Sequence, residues 1–176
     1  MYFELEKAVK SKKNWPGIMI LEYFRIHKNG KVIREEKNIP NLLHVQGEQR
    51  ILGNLFGGIA IPSTYYLGVD ARTSLSASDT LASLINEPST GGYNRQGIAS
   101  NSFTIETSGT TVKAKTGIIT FSCTSGSWPQ AKNLFLTNVG SGTSGILYSS
   151  VVLSSPFTLN SGESITLKFS MALSNC

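Results

Sequence analysis

Tyr93 and Arg95 stand two places apart behind a glycine pair in STGGYNRQGI, residues 89–98. Side chains two apart share a face of an extended chain, so a phenol and a guanidinium would be presented together. Either Arg95 binds a ligand beside a glycine loop, or Gly91 and Gly92 make a turn that delivers Tyr93, Arg95 and Gln96 into a strand. A second glycine cluster, Gly140, Gly142 and Gly145, spells G-x-G-x-x-G in GSGTSG. A dinucleotide site needs that motif to leave a strand and open a helix whose amides face the pyrophosphate. Strand-like ILYSSVVL follows instead, so the cluster reads as a hairpin loop. His27 and His44, the only histidines, lack the spacing of zinc ligands. Asp70 and Asp79 are the only aspartates. A carboxylate pair could do acid–base work, yet a strand end and the stretch SASDTL fit turn chemistry better. Tyr65, Tyr66, Trp128 and Tyr148 lie near loops or strand ends, where aromatics serve either as a glycan or base platform or as core anchors. No G-x-S-x-G elbow, Walker lysine or H-x-E with a later C-x-x-C is present. Neither an enzyme nor a bound metal or cofactor is expected.

The elements that must position these residues are mostly strands. Charged residues make up 15% of the chain, against about 25% in an ordinary soluble domain, and Ser, Thr and Gly fill the gap. That mixture suits strand faces and tight loops better than exposed helices. Near the end, Ile165, Leu167, Phe169, Met171 and Leu173 alternate with small or polar residues, the pattern of an antiparallel strand with one covered face. STYYLGV, RQGIASNSFTIET, TVKAKTGIITFSC, AKNLFLTNV and GILYSSVVL add further strands at short spacing. A helical turn capped by Ser78 is expected in SLSASDTLASLI. The fold class is mainly β: an antiparallel β-sandwich or jelly-roll-like domain over 59–176. Cys123 reads as a small core residue, and with Cys176 it is too little for a disulfide framework or a cysteine zinc site.

One helix is expected over 40–58, packing on the body. Asn41 would cap it, and Leu42, Val45, Gln49, Leu52 and Phe56 mark its apolar stripe, with Leu55 beside it. Before it, residues 1–39 form a basic arm and hairpin. Residues 1–16 read as a short helix or a flexible arm ending at Trp15-Pro16. GIMILEYFRIH and KVIREEKNI then flank an Asn29-Gly30 turn. In the first strand Ile18, Ile20, Phe24 and Ile26 share a face, with Glu22 as the exception. Ten of the sixteen basic residues and six of the eleven acids lie before residue 61. Lys7, Lys10, Lys12, Lys13, Trp15, Arg25, Lys28, Lys31 and Arg34 are the candidate partner-binding residues. Such a segment suits nucleic acid or an acidic protein surface, although charge alone reads more simply as a solvated arm. No apolar stretch has the length of a membrane span, and the start of the chain lacks the apolar region of a signal peptide. The chain is expected to be made in the cytoplasm.

The order of motifs resembles a group of small structural proteins of tailed bacteriophages. The resemblance runs over about 40–173. It rests on Gly91, Gly92, Tyr93, Arg95, Gln96 and Ile98, then Phe121 and Trp128, then the Gly162-Glu163-x-Ile165 hairpin. It implies a virion component without catalytic residues, placed on the capsid surface or in tail parts. The expectation drawn from it is a capsid decoration protein that binds the head shell through residues 1–39, a segment removable without unfolding the sandwich. The major capsid protein, or another virion protein, would be its partner, and it would bind itself as a homo-oligomer, a trimer above others. Neither nucleic acid nor a membrane is expected as a partner. A tail, baseplate or fibre-attachment protein is the alternative, and a glycan-binding module on the virion is another. Pro129 after Trp128, and the basic hairpin, depart from the group's pattern.

Overall fold

The computed structural model describes residues 19–84, 86–108 and 111–173. It is a sandwich of two antiparallel sheets, as the strand pattern predicts. The first sheet contains β1 (Met19–Lys28), β2 (Lys31–Pro40), β6 (Thr104–Ser108), β7 (Thr111–Lys115), β8 (Ile119–Ser122) and β11 (Glu163–Leu173). Its order is β2-β1-β11-β7-β6, and β8 also pairs with β11. The second sheet contains β3 (Leu42–Leu43), β4 (Thr64–Asp70), β5 (Gln96–Ala99), β9 (Ala131–Thr137) and β10 (Leu147–Phe157), in the order β3-β10-β9-β4-β5. Among the described residues one α-helix, α1 (Val45–Phe56), lies between β3 and β4 in the chain.

β11 organises the first sheet. One edge pairs with β1 along almost its whole length, and the other is shared by β8 and β7. Its alternation works as read: Ile165, Leu167 and Phe169 are buried. They meet the inner residues of β9 and β10 in one core that includes Phe121, Trp128, Leu134, Leu136 and Leu153. Phe24 of β1 meets Phe157 of β10 across the gap, with ring centroids 5.2 Å apart.

The hairpin is a part of this sandwich and not an appendage to it. Leu21, Phe24 and Ile26 of β1 are core residues, so the division at residue 39 does not separate two bodies. The physical reason is the one that makes any isolated hairpin marginal: it needs a sheet to lie on, and β11 supplies it. The expected face of β1 is also corrected. The register against β11 shifts between Leu21 and Tyr23. A bulge at Glu22 therefore puts Leu21 inside in place of Ile20, because one extra residue inverts the alternation. Glu22, the exception in the pattern, is the bulged residue.

RQGIASNSFTIET does not make one strand. A 3₁₀ turn at Ser100–Ser102 breaks it into β5 in one sheet and β6 in the other. Likewise TVKAKTGIITFSC divides into β7 and β8, both beside β11. The 3₁₀ turn Leu81–Ser83 is capped by Thr80 in a capping box with Ser83, not by Ser78.

Helix α1 starts later than its sequence predicts. Leu42 and Leu43 are captured by β10 as the short strand β3, so the N-cap is His44 and not Asn41. The helix then presents a different side. Gly47 is buried, and a Cβ there would run into the backbone of Tyr148. This close approach turns Gly47 and Ile51 toward the body and leaves the apolar stripe facing out: Val45, Leu52, Leu55 and Phe56 are exposed. Gly47→Ala should destabilise the fold by about 2 kcal/mol, the usual scale for overpacking, even though alanine favours a helix over glycine by about 1 kcal/mol. Urea unfolding of the variant measures this directly, and a neutral or stabilising result would contradict the close packing.

Candidate functional site

The G-G-Y-x-R-Q stretch builds a closed clasp. Gly91 and Gly92 both have positive φ, at 67° and 75°, which a side chain would strain. At Gly91 a Cβ would also stand 2.7 Å from the Trp128 ring. The turn sends Tyr93 inward, edge-on to Trp128 at 5.1 Å between centroids. The indole Nε1 donates to the Gly91 carbonyl at 3.3 Å. Tyr93 accepts a bond from the Val69 amide at 3.0 Å and donates its hydroxyl to Glu87 Oε1 at 2.6 Å. Burial, then the nearby Glu87 carboxylate, push that hydroxyl's pKa far above its ordinary range, so it stays a donor.

Arg95 completes the clasp. Its Nε and Nη2 donate to the two oxygens of Glu87 at 2.8 and 2.7 Å, a planar fork on a carboxylate. The remaining donors reach the carbonyls of Val139 at 2.9 Å and Gly142 at 2.8 Å. The guanidinium also lies 5.1 Å from the centroid of Phe135. Only 3% of the Arg95 side chain is exposed. Arg95 is therefore not a ligand residue beside a glycine loop. It holds the G-x-G-x-x-G loop, which is the β9–β10 connection, down on the sandwich. Gln96 begins β5 opposite Leu67 and donates to the Asn94 carbonyl.

The candidate cations of the hairpin are tied largely within the chain. Arg25 faces Glu35 across the β1–β2 register and bonds to it, and Lys37 reaches the same carboxylate. Lys28 lies opposite Glu163, with Nζ 3.3 Å from Oε1. Arg34 pairs with Glu36 and donates to the carbonyls of Ser155 and Pro156. Glu36 in turn accepts the Ser154 amide, so Arg34 and Glu36 latch β2 to β10 across the open side of the sandwich. Burial works against ionisation of Glu36, but the Ser154 amide and Arg34 hold its pKa below the usual value. Lys31 stands exposed at the hairpin turn. Lys7, Lys10, Lys12, Lys13 and Trp15 lie outside the described residues. Arg25, Lys28 and Arg34 are thus paired within the chain, the first two because opposite charges sit in register on neighbouring strands.

Asp70 and Asp79 do turn work. Asp70 accepts the amides of Arg72 and Asn86 and the side chain of Asn133. Asp79 accepts the Ser76 amide and pairs with Arg72. Trp128 and Tyr148 are buried in the core, so neither can stack on a sugar; this corrects their place in a glycan platform. Cys123 is buried and free. Among the described residues no group of three His, Cys, Asp or Glu could hold a metal ion. No helix among them is long and apolar enough to cross a membrane.

His44 is fully buried and its Nε2 lies 2.8 Å from Ser150 Oγ. Burial lowers its pKa, partly opposed by the Asp79 carboxylate. The unfolded chain therefore takes up this proton at a higher pH than the folded one. Stability from this group is complete above the ordinary histidine value, about 6.5, and falls as pH drops below it. The depressed carboxylates Glu36, Asp79 and Glu163 contribute their loss only below about 4.5. Urea midpoints between pH 7 and pH 5 should fall for the native chain and flatten in His44→Gln. An equal slope in both would contradict the burial of a neutral imidazole.

The surface missed by sequence reasoning is the outer side of α1. The chain leaves the helix and turns back along it: the Ile59 amide donates to Gly53 at 3.1 Å, and Arg50 donates to the Ala60 carbonyl at 3.1 Å. Ile59 and Ile61 are exposed beside the helix. The stripe was visible in the sequence, but periodicity does not say which side faces the body.

A family model described as the podophage GP4 fiber I protein gp80 matches residues 44–172. The chain belongs to this family. Among curated proteins nothing matches. Membership in the podophage fiber I family makes the chain a phage structural protein, related to fibres and belonging to the virion. The matched stretch holds α1, the whole second sheet except β3, and β6, β7, β8 and β11. The β1–β2 hairpin lies before it, although β11 inside the match takes β1 as its partner along one edge.

Proposed function

We propose that this protein is a non-enzymatic module of the fibre apparatus at the podophage tail, holding other virion proteins in place and requiring no cofactor. The family match over 44–172 carries this reading. Two features of the fold support it. The potentially reactive groups are turned inward: Arg95 is clasped by Glu87 and two carbonyls, and His44 is closed off beside Ser150. The two sheets are also tied at their open side by the Arg34–Glu36 latch, and the Arg95 clasp pins the β9–β10 loop to the second sheet, which suits a part that transmits load and does not turn over substrate. A place on the head shell drew its argument from cationic residues on the hairpin, and Arg25, Lys28 and Arg34 spend their charge within the chain.

Separation of purified virions into heads and tails, followed by mass spectrometry of each fraction, tests the reading. The chain is expected with the tails. Recovery with emptied heads would overturn it in favour of decoration.

A further inference from the structure

We propose that the outer edge of β6 takes up an extended segment of a different virion protein as an added strand of the first sheet. β6 ends the strand order, and no other strand among the described residues pairs with its outer side. Residues Thr104 to Thr107 are exposed. An edge strand presents a row of backbone donors and acceptors without partners, and natural edges are often blunted by proline, lysine or a bulge. The sequence TIETS contains neither proline nor lysine, and its pairing with β7 has no register shift. The opposite edge of the sheet differs, since Arg34 and Glu36 tie β2 to β10.

The side chains say how the added strand lies. Residues directly opposite on paired strands share a face. Ile105 stands opposite Ala114, and Ala114 opposite Met171. Met171 continues the alternation of Leu167 and Phe169, so this row belongs to the core side of the sheet. Yet Ile105 is 66% exposed, and Val112, two places from Ala114, is 45% exposed. The second sheet does not reach this far. A cavity of about 50 Å³ adjoins the row, lined by residues that include Phe103, Met171, Ile51, Tyr65 and Tyr148. A strand beside β6 with apolar residues at alternate positions covers Ile105 directly and reaches Val112 on the diagonal.

The edge selects a polypeptide, because a backbone is what satisfies it. Charge selects a different chain over a second copy. Pairing all five residues of β6 with those of another β6 puts Glu106 opposite Glu106, and like charges directly opposite are destabilising. Lys115 bonds Glu106 from the β7 side at 2.6 Å, and the Glu106 side chain stays 52% exposed. The partner strand therefore carries a basic or hydroxyl residue at that position. The inference goes beyond the fibre reading and does not rest on it, since head and tail alike hold other virion proteins.

Hydrogen exchange of the full chain, free and in purified virions, tests it. Amides in 104–108 should exchange at least about 10-fold more slowly in the virion, as expected of new backbone bonds. Photo-crosslinking from benzoylphenylalanine in place of Ile105 identifies the occupant. Its crosslinks should fall on one contiguous segment of a different virion protein. The same group in place of Ile118, exposed just before β8, should not reach that segment. Ile105→Lys should keep the native circular dichroism, because the side chain is already exposed, and should return the exchange of 104–108 in virions to the free rate. Equal exchange in the free and virion-bound chain would overturn the proposal. So would undiminished protection in Ile105→Lys, crosslinks from position 105 to a second copy of this chain or to no protein, or an equal yield on the same segment from position 118.

Discussion

A chain lacking residues 1–40 should fail to fold into a stable sandwich. The deletion removes Leu21, Phe24 and Ile26 from the core, each contributing about 1.5–3 kcal/mol by burial. That sum alone approaches the whole stability of an ordinary domain, about 5–15 kcal/mol. It also strips β1 from one edge of β11 along 163–171. A long, newly open edge beside exposed apolar residues invites pairing with other chains. The Arg34–Glu36 latch onto β10 goes as well. The truncated protein should be insoluble, or soluble without a cooperative unfolding transition. A soluble fragment melting cooperatively near the full chain's midpoint would show that the hairpin is an appendage after all.

Arg95→Ala should cost about 3–5 kcal/mol, the range for removing one member of a buried ion pair. The substitution leaves Glu87 without its fork, and leaves the Val139 and Gly142 carbonyls without their donors. The Tyr93 hydroxyl stays bonded to a carboxylate that has lost its counter-charge. Arg95→Lys should restore less than half of the loss, because an ammonium cannot reproduce the planar fork. Chemical denaturation of both variants gives the two values. A loss below about 1 kcal/mol for Arg95→Ala, the level of an exposed surface pair, would contradict the clasp.

Much of the fold was legible in the sequence. β11 announced itself because one face is covered and the other is small or polar. The G-x-G-x-x-G loop was readable as a hairpin because a β-branched run follows it where a helix would have to begin. What stayed hidden was long-range. Arg95 finds Glu87 eight residues upstream, but its carbonyl partners lie 44 and 47 residues downstream, and no local pattern links them. The hairpin's charges looked available because composition does not reveal register; the cross-strand pairing of Arg25 with Glu35 and Lys28 with Glu163 occupies two of them. The bulge at Glu22 inverted a face for a similar reason, as its position depends on β11 and not on β1 alone. For α1 the periodicity was right and the side was wrong. A glycine that looked only like a weak point in the helix is the residue that lets it seat on Tyr148.

Imaging of purified virions that carry a gold-labelled copy of this chain bears most directly on the proposal that it belongs to the fibre apparatus. The label should sit on the short tail and its fibres, with the head shell bare. Label spread over the head shell would contradict the account.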